Sequence, residues 1–261
     1  MKLNKFNIDA FIEKGFKGNT ACVIPLKKWI SDFSLLKIAK KNAVPETAFY
    51  VIENNKINLR WFTPEIEMDL CGHATLATAH CLKKIFNYSN DNIKFQTISG
   101  ELSVKFKNDK YHMILPKRVA DFSNLPKTIS KSLNIQPIEV YKSRDYILIY
   151  QSEKDIKNIV IDKKIFDKIN LDPGGVVVTS KGDSVDFVSR YFTPQSSILE
   201  DPATGSSHCS LVPYWSKKLK KTKLISHQLS KRGGKFECIN KVDKIIIIGK
   251  AKIQSKGIIE I

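Results

Sequence analysis

The stretch RYFTPQSSILEDPATGSSHCSL, Arg190–Leu211, has a double earlier in the chain, RWFTPEIEMDLCGHATLATAHCL, Arg60–Leu82. Both open on Arg, an aromatic residue and Phe-Thr-Pro, then pass through an acidic, apolar run into small residues around a Gly. The openings lie 130 residues apart in a chain of 261. Repetition at half the chain length marks an internal duplication, and a single repetition is too little for a solenoid.

Working outward, strand-like runs are predicted at 3–8, 20–25, 47–53, 56–62, 93–97, 101–107 and 110–116, with helices at 31–41 and 73–86. The second half repeats the plan. Its strands are predicted at 137–141, 145–150, 175–180, 184–192, 223–230, 235–240, 244–249 and 252–260, its helices at 163–169 and 204–219. Turn signals such as Asn54-Asn55, Asn108-Asp109 and Lys181-Gly182-Asp183 separate the runs. Two similar domains follow, 1–118 and 119–261, with a linker at 119–128 where polar residues and Pro126 break the pattern.

A hydrophobic fraction of 42% is enough for a core in each. No run of 18 apolar residues exists, so no membrane helix is expected. The N-terminal MKLNKFNIDAFIEKGF lacks the apolar core of a signal peptide, and Asp9 and Glu13 do not suit a transit peptide. Five scattered cysteines suit reduced thiols, and a cytoplasmic location is expected. The net charge of +17 raises nucleic acid as a partner. Only five of the 43 basic residues are Arg, however, and the lysines are dispersed. Bidentate phosphate contacts favour Arg, so a lysine-rich surface is the preferred reading and nucleic acid is not the expected partner.

Three stretches carry candidate chemistry: Glu46 in VPETAFYV, Cys71 and His73 around Gly72 in DLCGHAT, and Asp201 in LEDPATGSS. Each alone reads more readily as structure: a loop Glu, a tight turn with a core thiol, an Asp at a helix start. The symmetric placement of the second and third shifts the balance toward a site. Gly72 and Gly205 stand at two predicted helix starts, where free N–H groups attract anions. Equivalent loops of two related domains can face each other across a cleft, a favoured place for a ligand.

The chain resembles the phenazine-biosynthesis PhzF-like proteins, relatives of diaminopimelate epimerase and proline racemase. The resemblance runs through DAF at Asp9–Phe11, GNTACV at Gly18–Val23 (GNPAAV in the family), PETAF, RWFTP, CGHAT, SGEL, RYFTP, EDPATGSS and SKRGG. It implies an α+β fold of two domains, each a curved, mostly antiparallel sheet wrapped around a central helix. It also implies a homodimer and chemistry without metal or organic cofactor. The family's reference reaction is isomerisation of 2,3-dihydro-3-hydroxyanthranilate by moving a proton between ring carbons. By resemblance Glu46 is the acid/base group, with His73 and Asp201 as catalytic partners and Ser206 holding the substrate. Cys71, Gly72, Thr204 and Gly205 complete the expected binding set for a small carboxylate. Two-thiol racemases of the superfamily carry a Cys in each half. Here EDPATG has none, and Cys209 falls about one helical turn beyond Gly205.

No metal site is expected. Cys71-x-His73, His80-Cys81 and His208-Cys209 lack the paired spacing of zinc ligands. Two other readings stand beside the isomerase: an epimerase or racemase of an amino or hydroxy acid, and a non-catalytic module that binds a small molecule or nucleic acid.

Overall fold

The structure, a computed structural model, describes residues 1–260. The chain divides into two units: the first comprises Met1–Leu115 and the residues from Ile246 onward, the second Pro116–Ile245.

The first unit contains β1 (Lys2–Ile12), β2 (Asn19–Leu26), α1 (Asp32–Asn42), β3 (Glu46–Glu53), β4 (Lys56–Phe62), β5 (Glu67–Met68), α2 (Gly72–Lys84), β6 (Asn92–Thr97), β7 (Gly100–Lys107) and β8 (Lys110–Pro116). The second contains β9 (Asp121–Phe122), α3 (Lys127–Ser132), β10 (Glu139–Lys142), β11 (Tyr146–Ile149), α4 (Glu153–Asn158), α5 (Lys163–Phe166), β12 (Val176–Lys181), β13 (Phe187–Phe192), β14 (Glu200–Asp201), α6 (His208–Leu219), β15 (Lys223–Gln228) and β16 (Gly234–Asn240). The last strand, β17 (Lys244–Glu260), pairs antiparallel with β1.

The predicted duplication is present in the pairing itself. In the first unit β2 runs parallel to β3, β3 antiparallel to β4, β4 antiparallel to β5, and β4 parallel to β6. In the second, β11, β12, β13, β14 and β15 repeat these four relations in the same order. The fold is α+β, with one buried helix in each mostly antiparallel sheet.

Every residue of α2 from Gly72 to Leu82 is buried, and the helix packs on β1, β2 and β3. Small residues (Ala74, Ala77 and Ala79) let it lie close to the sheet. Lys83 and Lys84 fill its last turn, where positive charge suits the helix dipole. In α6, Trp215 stacks on Phe187 at 5.8 Å and its indole N–H donates to Thr179 Oγ1 at 3.0 Å. Pro213 lies inside α6 and has no N–H to offer the carbonyl of Cys209. The Arg118 N–H donates to that carbonyl instead, at 2.9 Å.

The repeated Arg-aromatic-Phe-Thr-Pro strings make two copies of one clamp. Arg60 Nε and Nη2 grip both oxygens of Glu67 at 2.7 and 2.6 Å, and the guanidinium lies 5.1 Å from the centre of the Phe62 ring. Arg190 grips Glu200 at 2.7 and 3.0 Å and lies 5.0 Å from the Phe192 ring. Each following Thr closes the turn through its N–H, Thr63 to Ile66 O and Thr193 to Leu199 O, both at 2.9 Å. Bidentate Arg–carboxylate pairs fix direction as well as distance.

Four details depart from the sequence reading. A second domain running to 261 is corrected by β17, whose pairing with β1 returns the chain from Ile246 onward to the first unit. The two strands predicted at 244–249 and 252–260 are that one strand. The helix predicted at 204–219 starts at His208, because Gly205–Ser207 form a turn with short bonds such as His208 N–H to Gly205 O. Helix 163–169 shrinks to α5, while the short α3 and α4 were not foreseen.

Candidate active site

Glu46 is the first residue of β3, where Ala21 of the parallel β2 stands beside it. His73 is the second residue of α2, and Cys71 is that helix's N-cap. These elements bring Glu46 Oε2 to 3.1 Å from His73 Nε2. Neither buried atom has a directed hydrogen bond to another described residue, so their approach is a contact of charges. Buried polar atoms without directed bonds are rare, and each calls for an explanation such as a ligand, a water or a catalytic role.

The other imidazole nitrogen is held from behind. Asn19 Nδ2 lies 3.2 Å and Cys71 Sγ 3.6 Å from His73 Nδ1. Asn19 opens β2 directly after Gly18, whose φ is +67. A Cβ at Gly18 would stand 2.1 Å from the Ala10 carbonyl oxygen, so only glycine lets the chain turn there and present Asn19. The GNTACV string therefore acts through its first two residues. Asn19 is a site residue that the sequence reading quoted without giving it a role.

Burial pushes His73 down, but the neighbouring Cys71 and Glu46 more than offset this and hold it well above the ordinary histidine value. Burial pushes the Cys71 thiol up to about 11, so it is a neutral thiol near pH 7. The three side chains also place an oxygen, a sulfur and a nitrogen within 4.8 Å of one another, a set that could hold a metal ion. Sequence spacing did not disclose this set, because Glu46 joins it from a distant strand.

In the second unit, register fixes the equivalents. Trp61 and Phe62 pair with Met68 and Glu67, and Tyr191 and Phe192 pair with Asp201 and Glu200. Counting on from these pairs, Cys71-Gly72-His73 correspond to Thr204-Gly205-Ser206. Thr47 pairs with Phe62 and Val176 with Phe192, so the residue before each, Glu46 and Gly175, also correspond.

Thr204 is committed to the fold. Its hydroxyl donates to Asp201, its N–H donates to Gln228 Oε1 at 2.7 Å, and its carbonyl accepts from Ser207 Oγ at 2.9 Å. Gln228 also donates to the Asp201 carbonyl at 2.6 Å. Asp201 is thus held at β14 by Thr204 and by Gln228, the second of which the sequence reading did not include. Ser206 accepts a hydrogen bond from Arg144 Nη2 at 3.0 Å. No described residue accepts a bond from the N–H groups of Gly205 or Ser206. Gly205 lies in a turn and Gly72 at the start of α2.

The histidines and cysteines of the helices pack as expected. His80 meets Tyr111 Oη at 2.9 Å, and His208 Nε2 meets Ser226 Oγ at 2.8 Å. Cys81 and Cys209 are fully buried.

Residues 8–257 match the family described as phenazine biosynthesis-like protein. An uncharacterized isomerase of Pseudomonas aeruginosa is 41% identical over 258 residues, covering 98% of each chain. The crystal structure of a phenazine biosynthesis PhzF-family protein from Enterococcus faecalis superposes with a TM-score of 0.91 at 40% identity, covering all of both chains. A hydroxyproline epimerase from Agrobacterium vitis shares the fold alone, with a TM-score of 0.65 at 6% identity over 99% of this chain and 92% of that one. The chain belongs to the phenazine biosynthesis-like family and is an isomerase.

Proposed function

We propose that the chain moves a proton between carbons of a small carboxylate-bearing metabolite by acid/base catalysis, with no resident metal or organic cofactor. The observation that carries this reading is the buried Glu46–His73 contact, in which Oε2 and Nε2 lie 3.1 Å apart and lack directed hydrogen bonds. Glu46 takes a proton from a C–H bond and returns it to another carbon. In the neutral ring Asn19 donates to Nδ1, which leaves the His73 proton on Nε2. It can therefore answer the negative charge that develops on the substrate. Asp201 and Ser206 hold the substrate's polar groups. Positioning of this kind contributes up to about 7–11 kcal/mol in ideal cases.

A two-thiol epimerase is disfavoured by the correspondence of Cys71 with Thr204. Family resemblance supports a homodimer, and the five scattered thiols support a cytoplasmic location.

Proton NMR in D₂O with 2,3-dihydro-3-hydroxyanthranilate tests the reading. The expected result is isomerisation with solvent deuterium entering a ring carbon, lost in Glu46→Gln. Deuterium entering equally in the variant would remove Glu46 as the base. If the compound is inert, exchange at Cα across a panel of amino and hydroxy acids is measured next. Inversion at Cα would convert the reading to an epimerase, and silence throughout would leave a binding module.

A further inference from the structure

Arg144 lies in the loop before β11 and was not singled out by the sequence. Its Nε and Nη2 reach the two oxygens of the adjacent Asp145, both at 3.1 Å. Asp145 is itself buried, and its Oδ1 accepts from the Gly175 N–H at 3.1 Å and from Tyr191 Oη at 3.0 Å. A buried carboxylate with these donors is fixed in place, and it fixes the guanidinium in turn. Arg144 Nη2, besides holding Asp145, donates to Ser206 Oγ at 3.0 Å.

The chemistry of that last contact has one direction. A guanidinium has donors and no acceptor, so Ser206 Oγ must accept. The hydroxyl's single proton then has to point elsewhere, and no described residue accepts it. Ser206 is nearly buried, so a wandering donor there would be costly. Accepting from a cation also polarises the O–H and strengthens it as a donor. An anionic oxygen is the acceptor that gains most from such a donor.

We propose that Arg144 is a positioning residue that locks Ser206 as a hydrogen-bond donor to the substrate's carboxylate, with Asp145, Tyr191 and the Gly175 N–H holding Arg144 in place. The proposal rests on the reading that the substrate carries a carboxylate. It gives the second unit's Asp145 a role that the first unit, with Asn19 behind His73, fulfils by other means.

The test is calorimetric titration of anthranilate, with aniline as the control that lacks the carboxylate. The proteins are the wild type, Arg144→Met, Arg144→Lys, Ser206→Ala, Tyr191→Phe and the Arg144→Met/Ser206→Ala double variant, each checked for folding by thermal melting. Arg144→Met and Ser206→Ala should each weaken anthranilate roughly 10-fold, the scale of a charge-assisted hydrogen bond. The double variant should also lose roughly 10-fold and not roughly 100-fold, since both changes remove one interaction. Arg144→Lys should recover part of the loss, and aniline should behave alike throughout. If Arg144→Met does not fold, Arg144→Lys and Tyr191→Phe carry the comparison, each made also in the Ser206→Ala background and each weakening anthranilate only while Ser206 is present. Multiplying losses, or unchanged binding in Arg144→Met, would overturn the proposal and leave the isomerase reading intact. A wild type that binds anthranilate no better than aniline would overturn the carboxylate reading, and this proposal with it.

Discussion

Where the first unit carries Cys71-Gly72-His73, the second carries Thr204-Gly205-Ser206, and where the first carries Glu46, the second carries Gly175. The clamps beneath these sites, Arg60–Glu67 and Arg190–Glu200, are the same in both. Duplication therefore kept the frame and divided the chemistry. The reason is visible at Gly175. A Cβ there would lie 2.7 Å from Tyr191 Oη and from the Phe192 carbonyl oxygen. The second unit uses that space to hold Asp145, and so has no room for a second glutamate.

The contrast can be broken in order of expected effect. Glu46→Gln should lower deuterium exchange by about 10²–10⁴-fold, the usual share of a general base, with the fold intact by circular dichroism. Gly175→Ala should strain the second unit by about 2–3 kcal/mol in urea unfolding, as overpacking of a close contact does. Arg190→Ala should cost about 2 kcal/mol and Arg60→Ala about 1 by the same measurement. The order follows from their partners: Arg190 Nη1 also binds the buried carbonyls of Ile156 and Ile159, at 3.2 and 2.8 Å, whereas Arg60 Nη1 reaches Asp32, at 2.8 Å, whose exposure makes that pair weak. Equal losses would mean that those two bonds add nothing.

The smallest expected effect is on pH dependence, where the units share a feature. Burial pushes His80 and His208 down to about 4. An unfolded histidine titrates near about 6.5. Between these values the unfolded chain binds more protons, so stability is complete above about pH 6.5 and falls as pH drops toward 4. His73 acts in the opposite sense: its raised value makes its contribution complete below about pH 6.5, to be lost as pH climbs through that raised value. Melting temperature against pH should show a shallower acid limb in His208→Gln and in His80→Gln. An unchanged limb in both would assign the acid sensitivity to other groups.

Much of this was legible because it was local or repeated. The paired Arg-aromatic-Phe-Thr-Pro strings disclosed the duplication, and period-2 runs such as those of β7 and β8 disclosed the meander. Glu46 and His73 were legible as separate candidates, but only resemblance put them in one site, since nothing in their separate stretches says that they meet. Arg144 was invisible for the same reason. Its contact with Ser206 spans 62 residues, and its neighbour Asp145 reads as an ordinary strand-edge acid. The start of α6 was misplaced because Gly205-Ser206-Ser207 suits a turn as well as a first helical turn. The α4 helix could have been found: Ser152 and Asp155 form a capping box, and S-x-x-D is its written sign.

The pairing of β1 with β17 has a bearing on synthesis. The ribosome makes all but the last two residues of the second unit before it makes β17, so the second unit can fold while the first still lacks the strand that lies along β1. The half of the chain that emerges first is therefore the half completed last. Until then β1 offers a row of unpaired backbone groups along one side, the kind of edge that invites pairing with a neighbouring chain.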